Sequence, residues 1–107
     1  MGKREVIKKI KEFINLIKIN NIKVEKVYLF GSYAVNRAKE SSDIDVAVIS
    51  PDFGINYTEE SLFLMKIAQK IDLQISPEPY SLKEYQAASQ GEFLWQEIIN
   101  KGQLIKV

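Results

Sequence analysis

Two aspartates, Asp43 and Asp45, stand either side of Ile44 at the head of the apolar run Val46-Ala47-Val48-Ile49. Residues two apart on a strand share a face, which sets their Cα atoms roughly 6.6 Å apart. Two carboxylates aimed the same way repel each other, and a buried strand beside them makes the charged state costlier still. Either both face water at a solvated strand end, or a cation offsets the repulsion. A calcium loop is excluded, because it needs oxygen ligands continuing through a glycine-centred turn, whereas Val46 to Ile49 offer none. Magnesium is the natural cation, since it takes one or two carboxylates and completes its shell with water and substrate phosphates. The spacing by itself leaves both readings open.

Upstream lies a Gly31-Ser32 step, separated from Asp43 by the ten residues Tyr33 to Ser42. A strand that ends in glycine and passes through serine into a helix aims free backbone N–H groups and a hydroxyl at one point, which is a phosphate site. Gly31 lets a phosphate approach the backbone closely, and Ser32 adds an O–H donor. An isolated Gly-Ser pair is more often an ordinary strand-to-helix turn. Together with a paired carboxylate site on a neighbouring strand, it describes a nucleoside triphosphate held with its metal.

The rest of the composition narrows the chemistry. The 107 residues carry a formal net charge of +1, so no global field gathers polyanions, and direct nucleic-acid binding is not expected. There is no cysteine and no histidine, which excludes disulfides, thiolate or imidazole zinc sites, and the usual Ser-His-Asp and Cys-His nucleophiles. An enzyme of this composition works with carboxylates, hydroxyls, lysines and a hard metal ion. No apolar run is long enough for a membrane span, and the start "MGKREV" fits neither a secretory nor a myristoylation signal. A cytoplasmic protein of one domain, residues 1–107, is the expectation.

The elements that position these residues alternate in type. Val6, Ile10, Phe13, Ile14 and Ile17 recur at helical spacing over residues 4–19, with lysines on the other positions. Asn20-Asn21 stops that helix, and Val27 to Phe30 read as a strand covered on both faces. Residues 32–38 read as a short helix, with Asn36 suited to a left-handed cap. The run Ser41 to Ser50 is a second strand, cut by the Pro51-Asp52-Phe53-Gly54 turn. Thr58 is the expected N-cap of a helix from Glu59 to about Lys70, carrying Leu62, Phe63, Leu64, Ile67, Ala68 and Ile71 inward. "IDLQIS" alternates as a third strand, with Ile71, Leu73 and Ile75 on one side and Asp72 and Gln74 on the other, ended by Pro77 and Pro79. Ser81 opens a helix to about Ala88, residues 92–100 form the last helix, and the tail Gln103 to Val107 adds a short edge strand. The order implies a small sheet covered by helices.

At Gly31-Ser32, the ten-residue interval and Asp43-Ile44-Asp45, the chain resembles the DNA polymerase β-type nucleotidyltransferases, specifically their minimal branch. The resemblance covers residues 27–75. It implies an α/β (α+β) fold, a small mixed sheet flanked by helices in the manner of the polymerase β palm. It also implies a third carboxylate on a later strand, which falls on Asp72 between Ile71 and Leu73; Asp52, Glu59 and Glu78 are poorer candidates. Asp43, Asp45 and Asp72 would then hold two magnesium ions, with Asp72 helping to deprotonate an acceptor hydroxyl. Gly31 and Ser32 would hold the β- and γ-phosphates of ATP. Many relatives place an arginine at the position of Val35, so Arg37 or Lys39 is left to reach the triphosphate.

The acceptor is expected from a separate protein. Stand-alone members of this branch pair with a helical HEPN toxin and act as antitoxins by adenylylating one of its tyrosines, and the resemblance implies the same here. One alternative is a binding module that neutralises its partner by contact, through the basic face of the first helix or the aromatic residues Tyr85, Phe93 and Trp95. Another is transfer to a small molecule by a homodimer.

Overall fold

The computed structural model describes residues 1–107. Helix α1 spans Lys3–Ile19 and buries Val6, Ile10, Phe13, Ile14 and Ile17, the stripe that its 3.6-residue period requires. Asn21, in the left-handed region at φ 64°, turns the chain out of it. Strand β1 (Lys26–Phe30) follows, then a single 3₁₀ turn at Gly31–Tyr33 and a run of turns to β2 (Ile44–Ser50). Residues 32–38 thus form no longer helix, and Asn36 takes the left-handed conformation at φ 58° within the turns.

Helix α2 (Tyr57–Gln69) starts two residues earlier than expected. Asn56, not Thr58, is its N-cap, accepting from the Glu59 N–H. The Glu60 carboxylate reaches back to accept from the N–H groups of Gly54, Ile55 and Asn56. Of the residues expected inside, Leu64, Ile67 and Ala68 are buried, while Leu62 faces out.

Strand β3 runs Ile75–Ser81 and continues through both prolines. It is the sheet edge, parallel to β2, and the Gln74 carbonyl accepts from the Ile44 N–H. By alternation, Ser76, Glu78 and Tyr80 turn their backbone groups toward β2, whereas Pro77 and Pro79 turn theirs outward, where no donor is required. The prolines therefore block the open edge rather than ending the strand. Residues 71–74, expected as strand, form the turn that enters β3, and Leu73 is 81% exposed. Ser81 caps α3 (Leu82–Ala87) in a reciprocal capping box with Glu84. A π-helical segment, Leu94–Asn100, leads to β4 (Gln103–Ile105).

The sheet order is β3-β2-β1-β4, with β1 antiparallel to both β2 and β4. On one face Val27, Leu29, Ile44, Val46, Val48, Ile75 and Ile105 pack against α1 and α2. On the other, Tyr28, Phe30, Ala47 and Ile49 pack against Leu94 and Ile98, with Tyr80 and Tyr85 alongside. Two covered faces explain the nearly unbroken apolar runs of β1 and β2.

Two leucines separate this architecture from the expected one. Leu64→Ala, which empties a fully buried site, is expected to lower unfolding free energy by about 2–5 kcal/mol in urea titration. Leu73→Ala should change it by no more than about 0.5 kcal/mol.

Candidate active site

Strand register brings the chemistry together. Asp45 pairs with Phe30 of β1 and Ser76 of β3, so Gly31, the next residue along β1, lies against its side chain. A Cβ built on Gly31 would sit 2.2 Å from Asp45 Oδ2, and Gly31 holds φ +72°. Both facts demand glycine there: the left-handed backbone and the absence of a side chain let the 3₁₀ turn fold directly over the carboxylate. The first N–H groups of such a turn are not consumed by the turn itself. Ser32 follows, half-buried.

Asp43 is exposed immediately before β2, and Asp45 is half-buried on the face that carries Ala47 and Ile49. The two ion pairs of the chain, Lys9–Asp72 and Lys101–Glu97, include neither. Burial pushes the Asp45 carboxyl up to about 6, aided by repulsion from Asp43 and from Glu78. Glu78 is on the same face of β3, two residues beyond the partner of Asp45, and accepts a 3.0 Å hydrogen bond from the Tyr80 hydroxyl. Burial, and then the charge of Glu78, raise the Tyr80 phenol above its ordinary range.

Asp72 does not join this group. Its carboxylate is held by Lys9 of α1, on the opposite face of the sheet, and accepts from the Gln74 N–H. Those contacts, the Lys9 hydrogen bond foremost, lower its pKa. No three acidic residues stand close enough together to form a ready metal cage. Asp43 and Asp45 nevertheless suit a hard divalent cation: two oxygen donors, one of them half-buried, with no lysine or arginine paired to either.

Beside Gly31 opens a cavity of about 420 Å³, lined by Gly31, Val35, Arg37, Glu97 and Lys101. Of the two cations considered as replacements for an arginine at position 35, Arg37 lines this space and Lys39 does not. Lys101, at the end of the π-helical segment, is a second cation there that sequence reasoning missed. Tyr85 is turned inward, its hydroxyl 2.8 Å from that of Tyr28, while Phe93 is 56% exposed and meets Phe30 edge-on.

Residues 8–107 match the family described as polymerase beta nucleotidyltransferases. The chain belongs to that family. Over 91 residues this nucleotidyltransferase is 30% identical to the protein adenylyltransferase MntA of Shewanella oneidensis MR-1, covering 85% of its own length and 60% of that relative's. It thus spans less than two thirds of the curated relative it matches. Among solved structures, it is similar to a nucleotidyltransferase from Sulfolobus solfataricus, with TM-score 0.65 and 17% identity over 95% of this chain and 80% of that one. That likeness bears on the fold alone. It is also similar to a toxin–antitoxin structure with AMP-PNP, with TM-score 0.57 and 28% identity over 94% and 72% of the two chains. A third match is an MntA-HpeT toxin–antitoxin mutant with two aspartates changed to glutamate, with TM-score 0.56 and 26% identity over 90% and 71%.

Glu78, an acid that the sequence alone ranks low, shares the face of Asp45 on the neighbouring strand and, with Asp43, repels its charge. The signal was present in the alternation Ser76, Glu78, Tyr80 across two prolines, once those prolines are read as an edge rather than an end.

Two outcomes test this geometry. Gly31→Ala should push the Asp45 carboxylate from its place and lower nucleotidyl transfer about 100-fold, measured as pyrophosphate release. A carboxyl whose folded pKa lies above its unfolded value near 3.8 stabilises the fold fully below that value, and the contribution is lost as pH rises through about 6. In metal-free protein the urea stability of wild type relative to Asp45→Asn should therefore fall between pH 4 and pH 6, leaving Asp45→Asn the more stable of the two at pH 7.

Proposed function

We propose that this nucleotidyltransferase moves AMP from ATP to a hydroxyl of a partner protein, and that the acceptor is a tyrosine of a HEPN-type toxin that the transfer silences. The observation that carries the reading is the placement of the Gly31 turn directly against the Asp45 carboxylate, with Gly31 also lining a cavity that holds Arg37 and Lys101. Its likeness to a protein adenylyltransferase, and to toxin–antitoxin structures of which one holds AMP-PNP, supports the nucleotide and the kind of acceptor. The two aspartates changed in the toxin–antitoxin mutant lie two apart in number, as Asp43 and Asp45 do here.

In this mechanism Asp43 and Asp45 would hold magnesium, with Glu78, on the same face of the neighbouring strand, in the role first expected of Asp72. Bound there, the metal supplies Lewis-acid stabilisation of the charge that develops on the phosphoryl oxygens. The Gly31 turn and the Ser32 hydroxyl bind the outer phosphates through N–H and O–H donors. Arg37 neutralises their charge from the cavity wall. These contacts fix the α-phosphorus for in-line attack by the acceptor oxygen: a P–O bond to the acceptor forms, the bond to the β-phosphate bridge breaks, and pyrophosphate leaves. The acceptor's proton passes to a carboxylate of the cluster as the new P–O bond forms.

A second reading, silencing by contact alone, draws on the outward side of α2, where Leu62 and Met65 are 52% and 45% exposed, and on Ile55, 91% exposed, just before it. One experiment separates the two. Incubation with α-phosphate-labelled ATP, magnesium and the product of the neighbouring reading frame should label that partner and abolish its RNase activity. Asp43→Ala and Asp45→Ala should each reduce labelling about 10²–10³-fold. A partner that is silenced without label, equally well by both variants, would overturn the enzymatic reading.

A further inference from the structure

The nucleotide cavity has a cation that its resemblance to relatives did not supply, and that cation is already paired. Lys101 Nζ donates to Glu97 Oε1 at 3.3 Å across one helical turn, with side chains 55% and 44% exposed. Both residues line the same space as Gly31, Val35 and Arg37. The backbone beneath Lys101 is fixed, although its side chain is more than half exposed. Gly102 donates to the Ile98 carbonyl at 2.9 Å, and a Cβ there would meet that oxygen at 2.2 Å and the Leu29 carbonyl of β1 at 3.1 Å. The close pass of Gly102 over β1 thus sets Lys101 at the cavity mouth. The π-helical winding just before it is of a kind often found at functional sites.

The charges of the cavity make the consequence specific. Arg37 and Lys101 attract a polyphosphate, while Glu97 repels it and occupies Lys101. An exposed ion pair of this kind is weak and is screened by salt. A triphosphate carries more negative charge than one carboxylate and offers several oxygens, so it competes successfully for the ammonium. Val35 leaves the position of an arginine without charge, and Lys101 approaches the same space from a different element.

We infer that Lys101 is a polyphosphate-binding residue of this enzyme, held ready by Glu97, which acts as a displaceable counter-ion and weakens nucleotide binding. The inference rests on the reading of this cavity as the triphosphate site, and it assigns opposite signs to two neighbouring residues. Glu97 is here a positioning residue in the free protein and a competitor once nucleotide arrives.

The test is calorimetric titration of the full chain with AMP-PNP and magnesium. Lys101→Gln should raise Kd about tenfold, Lys101→Arg should restore most of the loss, and Glu97→Gln should lower Kd about threefold. Both residues are at the surface, so unfolding midpoints of all three variants should stay within about 2 °C of wild type. Binding by Lys101→Gln within twofold of wild type overturns the proposal, and so does weakened binding by Glu97→Gln. The outcomes separate this inference from the proposed function. Labelled transfer to the partner that persists while Lys101→Gln binds normally removes only the role of Lys101. Sensitivity to Lys101 in binding, with no transfer to any partner, removes the adenylylation reading and leaves the phosphate contact. Wild-type protein that fails to bind AMP-PNP with magnesium overturns both.

Discussion

The site depends on one contact between strands: the backbone of Gly31 resting on the carboxylate of Asp45. The antiparallel register that pairs Phe30 with Asp45 creates it, and the lack of a side chain at Gly31 permits it. It seats the 3₁₀ turn beside a half-buried carboxylate, and Gly31 also lines the cavity that carries Arg37 and Lys101. Moving β1 by one residue against β2 would turn its core side chains to the wrong face and carry Gly31 away from the acid. The apolar packing of both faces is what prevents that slip.

The same contact carries a cost in stability. A carboxylate is held half-buried near two others, with no protein cation to balance it, and its raised pKa records that cost. Natural proteins commonly retain such destabilised groups where chemistry needs them. The opposite treatment is given to Asp72, where Lys9 and a backbone N–H stabilise the charged form and leave it a structural role in joining α1 to the turn before β3. Two acids of one chain thus differ in their electrostatics because one is paired with a cation and the other is not.

Much of this arrangement was legible in the residues. The helical stripe of α1, the apolar runs of β1 and β2, the left-handed Asn36 and the edge strand at Gln103–Ile105 follow from periodicity and conformational preference. The Gly-Ser and Asp-x-Asp elements stand side by side, because the register of β1 on β2 brings Gly31 against Asp45. The third strand was misread through its prolines: a missing donor disqualifies a residue only on the side of the strand that must bond. That error started the strand four residues early, placed Asp72 on it, and hid Glu78. Asn56 was missed as the cap of α2 because Thr58 is equally suitable by type, and only the reach of Glu60 back to the loop distinguishes them. Lys101 was not legible, since its approach to the cavity depends on how Gly102 crosses β1, a long-range contact with no local signature.

The central claim is that Asp43 and Asp45, seated against the Gly31 turn, hold the divalent cation that accompanies a nucleoside triphosphate. The most direct measurement is a crystal structure grown with manganese and AMP-PNP, in which anomalous scattering locates the metal independently of any assumption about its ligands. The account predicts a manganese peak bonded to carboxylate oxygens of Asp43 and Asp45, with the phosphates over the Gly31 turn and Asp72 still bound to Lys9. A metal ligated by Asp72, or a nucleotide bound away from Gly31 and Asp45, would contradict it.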